Sequence, residues 1–96
     1  MKNYKIIYSV RAESQLQQII VYIALDNKER AISYAKEIKD RITYLSNFPE
    51  CGTIINSAYP NKRKLVFDDT YVIGYRIDNK KKTIRILHIK HGASIK

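Results

Sequence analysis

The sequence predicts an α+β domain: an antiparallel β-sheet with an N-terminal helical hairpin packed on one face, in the order β-α-α-β-β-β. Three observations lead there. Apolar residues recur at three- and four-residue spacing through the first half of the chain, the signature of amphipathic helices. From residue 64 onward the pattern changes to β-branched and aromatic runs separated by turn residues. The 96 residues, with 45% apolar and 28% charged, suffice for one domain with one modest core. Neither helix can bury its apolar stripe alone, so each needs the other or the sheet.

Residues 5–8, Lys-Ile-Ile-Tyr, form the first expected strand, and Ser9 can cap the helix that follows from about Val10. Leu16, Ile19, Ile20, Ile23 and Ala24 fall on one face of that helix, which should end near Asp26. Asn27 is placed to cap a second helix, in which Ala31, Ile32, Ala35, Ile38, Ile42 and Leu45 keep the same period to about Ser46. Pro49 disfavours helix at Phe48, and Gly52 permits a turn. Strands are then expected over 64–67, 71–77 and 83–90. Asp68-Asp69-Thr70 and Asp78-Asn79-Lys80 supply the turns between them, giving two successive hairpins. Alternation puts Tyr71, Ile73, Tyr75 and Ile77 in the core, and Val72, Gly74 and Arg76 on the opposite, open face.

Eighteen basic and nine acidic residues leave a net charge of +9, which implies a polyanionic partner, whether nucleic acid or acidic protein. The excess is concentrated late in the chain. From residue 61 onward ten basic residues face three acidic ones, a net +7. The single cysteine, Cys51, excludes an internal disulfide, a four-thiolate zinc site and a Cys-x-x-Cys redox pair. The longest apolar run, residues 19–25, is far too short to span a bilayer, and the first residues lack a signal-peptide core. A soluble, cytoplasmic protein with no cofactor, no metal and no membrane association is the expectation.

His91 and Gly92 fall where the last strand should end, a position from which an imidazole reaches a ligand and could act as general acid or base on a phosphodiester. The competing reading is an ordinary strand-end residue. His88, between Leu87 and Ile89, reads as structural. Lys62, Arg63 and Lys64 form one basic cluster and Lys80 to Lys82 another, the second in a turn where charge is normally just solvated. Arg76 and Arg85 offer bidentate phosphate geometry. Arg85 alternates with Leu87 and Ile89 against Ile84 and Ile86, which leaves its face open. Tyr59, in the loop before the basic cluster, is placed to stack on a base, although most of the eight tyrosines read as packing residues. Glu13, Glu29, Glu37 and Asp40 read as solvated helix faces.

In order and spacing the chain resembles toxins of the RelE/ParE superfamily, from bacterial type II toxin-antitoxin modules. The resemblance rests on Tyr4-Lys5-Ile6-Ile7-Tyr8 with Ala12-Glu13, on the stretch from Leu45 through Phe48-Pro49 to Gly52, and on Lys62-Arg63-Lys64-Leu65. It continues through Tyr71-Val72-Ile73-Gly74-Tyr75-Arg76-Ile77 and through Ile84 to Gly92. It implies a small toxin held inactive by a cognate antitoxin protein. It also implies a target: messenger RNA in the ribosome, cleaved by acid/base chemistry, is the main expectation because His91 and the basic strands give it a chemical account, with DNA gyrase, poisoned without nuclease activity, as the alternative. For the first, His91, Arg76 and Lys64 are the expected catalytic residues, and Lys62, Arg63, Arg85, Lys90 and Tyr59 the substrate-binding ones. Val72 and Ala93 stand where nuclease members often carry arginine, and the long helical hairpin resembles the gyrase-poisoning branch. Outside the superfamily, a simple basic nucleic-acid-binding domain remains the third reading.

Overall fold

The computed structural model describes residues 3–92 and joins five strands into one sheet of order β1-β5-β4-β3-β2. In chain order these are β1 (Lys5–Tyr8), the helices α1 (Val10–Asp26) and α2 (Lys28–Thr43), then β2 (Thr53–Ile54), β3 (Lys62–Phe67), β4 (Tyr71–Asp78) and β5 (Thr83–His91). The expected helical hairpin and the expected strand-rich second half are both present. Single 3-10 turns, Tyr44–Ser46 and Pro49–Cys51, link α2 to β2. The two-residue edge strand β2 has no counterpart in the sequence reading, because two residues carry no periodicity. β1 runs parallel to β5, while every other pairing is antiparallel.

The helices end where their caps say they should. Ser9 Oγ accepts a hydrogen bond from Ala12 N (3.0 Å), and α1 starts at the next residue. Asn27 serves both helices: its N–H donates to Ile23 O at the end of α1, and its Oδ1 accepts from Arg30 N (3.0 Å) at the start of α2. One extended residue therefore makes the whole corner of the hairpin.

The core lies between the hairpin and the sheet. Ala12, Leu16, Ile38, Ile42 and Leu45 meet Leu65, Ile73, Tyr75, Ile84, Ile86 and Ile89, all buried. Full burial of each such aliphatic side chain is worth about 1.5–3 kcal/mol relative to exposure, which is what holds the hairpin down. Tyr71, Ile73, Tyr75 and Ile77 occupy the core face as alternation predicts. In the β3–β4 turn Asp68 and Asp69 both have positive φ (55° and 52°), and Thr70 N donates to Phe67 O (3.0 Å), which closes the three-residue loop between the paired Phe67 and Tyr71. The next turn is tied by Asp78 Oδ1, which accepts from Lys80 N and Lys81 N (3.1 and 3.0 Å).

One irregularity decides which side chains reach the open face. Gly74 lies opposite His88 and Tyr75 opposite Ile86, so Leu87 is an extra residue and β5 bulges there. The bulge resets the alternation, leaving Ile84, Ile86 and Ile89 all buried while Arg85 is exposed.

Candidate functional site: the open basic face of the sheet

Cross-strand register aligns the cations of the open face in rows. Lys62 pairs with Arg76, and Arg76 with Arg85, three basic side chains directly opposite one another on three adjacent strands. The next row is Lys64, Gly74 and His88, and the one after it is Val66, Val72 and Lys90. Lys62, Lys64, Arg76, Arg85 and Lys90 therefore share one face. Arg85, whose face alternation left open, is settled by the bulge.

His88 stands in the middle of this face, packed on Gly74. A Cβ at Gly74 would collide with the imidazole ring, lying 2.9 Å from Cδ2 and closer still to Nε2 and Cε1. Only glycine lets the ring lie down on the sheet. Burial, followed by the positive charges of Lys90 and Arg11, holds the His88 pKa below its ordinary value. Its Nδ1 is buried without a hydrogen-bond partner among the described residues. The ring is accordingly neutral near pH 7 and able to accept a proton.

Arg11, Ile55, Tyr59, Lys62, Leu87 and His88 are among the residues that line a cleft of about 460 Å³ on this face. The loop before β3 forms one wall. Ala58 N donates to Asn56 Oδ1 (2.9 Å), Tyr59 N to Asn56 O (2.9 Å), and Lys62 N to Tyr59 O (3.0 Å), a succession of turns that sets Tyr59 beside Lys62. Tyr59 is 62% exposed and lines a shallower depression with Lys62 and Arg76. Sequence reasoning passed over Arg11, Ile55 and Leu87 and treated His88 as structural. The available signal was the spacing of Ile86, Leu87 and Ile89, which breaks period two and marks a bulge.

His91 lies elsewhere. It pairs with Tyr71, contacts that ring edge-on (centroids 5.5 Å apart), and lines a groove with Gln15, Gln18, Ile19 and Tyr22 of α1. Five residue steps along β4 lead from its partner Tyr71 to Arg76, about 17 Å, and Tyr71 faces the helices whereas Arg76 does not. The structure thus brings Arg76, Arg85 and Lys62 together, with Lys64 in the next row, and leaves His91 apart from these four, whereas Lys90, one row further, borders the groove that His91 lines. Arg63 borders the cleft, but its guanidinium is taken up by the neighbouring turn. Its guanidinium donates to Glu50 O (3.2 Å) and Gly52 O (3.0 Å), bracing the turn that carries the exposed Cys51. Tyr75 holds the same turn from inside, donating to Pro49 O (2.7 Å) and accepting from Gly52 N (2.9 Å). Ala93 lies outside the described residues. No cluster of three or more His, Cys, Asp or Glu side chains suited to a metal ion occurs among the described residues.

Solved structures share the fold of a helical hairpin packed on one face of a sheet. The chromosomal ParDE TA system from P. aeruginosa is 22% identical with a TM-score of 0.74, covering 95% of this chain and 98% of that one. The toxin-antitoxin complex RelBE2 from Mycobacterium tuberculosis is 21% identical with a TM-score of 0.62, covering 93% and 98%. The family described as "ParE toxin of type II toxin-antitoxin system, parDE" matches residues 6–95, and the chain belongs to that family. Comparison with curated protein sequences gives no match.

Proposed function

We propose that this toxin acts by poisoning DNA gyrase and is restrained by a cognate antitoxin. The observation that carries the reading is the match to the ParE toxin family along residues 6–95. The resemblance set out above associates that branch with gyrase and not with a nuclease. The site geometry supports the same choice. General acid/base cleavage needs a proton-transferring group within hydrogen-bond reach of the atoms that the cations stabilise, and His91 stands at the other end of β4 from Arg76. The test is brief expression without antitoxin, scoring DNA breaks and the 5′ ends of messages in the same cells. Gyrase-linked DNA breaks with uncut messages are expected.

One feature favours a second reading, ribosome-dependent cleavage of messenger RNA: a neutral imidazole, His88, does lie among the cations of the open face. On that reading Arg76 and Lys64 neutralise phosphate charge, Lys62, Arg85 and Lys90 position the strand, and the proton is moved by His88 in place of His91. Codon-phased message cuts within minutes, with intact DNA, would establish it and displace the gyrase reading.

A further inference from the structure

We infer that the open face of the sheet binds a single strand of DNA directly, with Lys62, Arg76 and Arg85 on successive phosphates and Tyr59 stacked on a base. The choice of DNA rests on the gyrase reading; the binding face itself rests on the geometry that follows.

Like charges directly opposite one another destabilise a sheet, yet Lys62, Arg76 and Arg85 stand in one cross-strand row. Among the described residues none of the three has a hydrogen-bond or ion-pair partner; the ion pairs recorded there, Arg30 with Glu37 and Lys36 with Asp40, belong to α2. Asp78, at the end of β4, acts on Arg76 only through space, because its Oδ1 accepts the backbone N–H groups of Lys80 and Lys81. The fold therefore bears a repulsion that a polyanion would relieve. Strands about 4.8 Å apart hold the three cations along about 10 Å, a track instead of a point site.

An exposed aromatic ring at the end of such a track favours nucleic acid over an acidic peptide. Tyr59 borders the same depression as Lys62 and Arg76, and nothing in its surroundings buries it. Base-on-aromatic stacking combined with a basic groove is the general means of holding unpaired strands. A carboxylate-rich peptide would use the cations and leave the ring idle.

The experiment is fluorescence anisotropy of the purified toxin with a labelled 20-nucleotide thymidine strand, in the absence of gyrase, across a salt series. Arg76→Ala combined with Arg85→Ala is expected to weaken binding at least tenfold and to reduce the salt slope by about 1.4, the loss of two phosphate contacts. Tyr59→Ala is expected to weaken it about fivefold or more with the slope unchanged. Lys28→Ala with Lys39→Ala removes the same charge from the helical hairpin and should change affinity less than twofold; both residues are exposed, as are Arg76 and Arg85, so all variants should fold. Equal weakening by the two double variants would reduce the effect to net charge and overturn the assignment. So would a 20-residue polyglutamate competing as well as the oligonucleotide, or a uridine strand of the same length binding tenfold more tightly than the DNA. Gyrase cleavage of plasmid DNA, run separately with wild-type toxin, tells failure of the gyrase reading from failure of this one.

Discussion

Gly74 and His88 behave as one unit, because the imidazole occupies the space a side chain at Gly74 would need. Gly74→Ala should therefore cost about 1–3 kcal/mol through overpacking. The double variant Gly74→Ala, His88→Ala should cost less than the sum of its parts, since removing the ring vacates the clash. A double-mutant cycle by urea denaturation measures the coupling; additivity within about 0.5 kcal/mol would refute it. The same residue makes a pH prediction. The His88 pKa is lower in the folded chain than in the unfolded one, chiefly through burial and then through Lys90 and Arg11. The unfolded chain therefore binds more protons between those two values. The stabilisation is complete above the ordinary histidine pKa of about 6.5 and is lost as pH falls through the depressed folded value. The urea midpoint should drop between pH 7 and pH 5, and His88→Gln should flatten that drop.

At the scale of elements, α1 completes the edge of β5. The strand β1 pairs with β5 only from Thr83 to Ile86, and beyond that point the outer edge of β5 has no strand beside it. The start of α1 takes over: Ser9 N donates to Ile86 O (3.0 Å), Ser9 Oγ to Leu87 O (3.0 Å), and Gln15 Oε1 accepts from Ile89 N (2.7 Å). Ile89 is itself buried, so Gln15→Ala should leave its N–H unsatisfied at a cost of about 1–3 kcal/mol, with faster amide hydrogen exchange at Ile89. Gln15→Glu keeps an acceptor there and should retain most of the stability; equal loss in both variants would show that packing, not the hydrogen bond, is responsible. This division of labour also explains what the sequence did and did not disclose. Helical period and caps are local, so the ends of α1 at Val10 and Asp26 and the start of α2 after Asn27 are readable directly. The core alternation of β4 is equally readable. The bulge in β5 depends on pairing with β4, and it is the bulge that puts Arg85 on the open face. Local spacing could not reveal that His91 shares a groove with Gln15, Gln18 and Tyr22, because that groove forms only when α1 crosses the sheet.

For the molecule as a whole, net charge and buried or half-buried tyrosines pull stability in opposite directions as pH rises. A charge of +9 repels itself, and deprotonation of lysines near pH 10 relieves that repulsion, so charge alone would make the fold more stable in alkali. Tyr8, Tyr34, Tyr71 and Tyr75 oppose it. Each has its pKa raised, with burial as the largest cause, and for Tyr34 the hydrogen bond to Asp68 (3.1 Å) adds to it. A folded value above the unfolded value of about 10 means that stability is fully present below pH 10 and is lost as pH rises toward the folded values. Four phenols acting together outweigh a diffuse surface repulsion that salt already screens. The urea midpoint should thus change little from pH 7 to pH 9.5 and then fall steeply between pH 10 and 11. Tyr34→Phe should lower the midpoint at neutral pH, by removing the bond to Asp68, and make the alkaline fall shallower. A midpoint that keeps rising through pH 11 would mean that charge repulsion dominates and that these hydroxyls ionise in the folded chain without penalty.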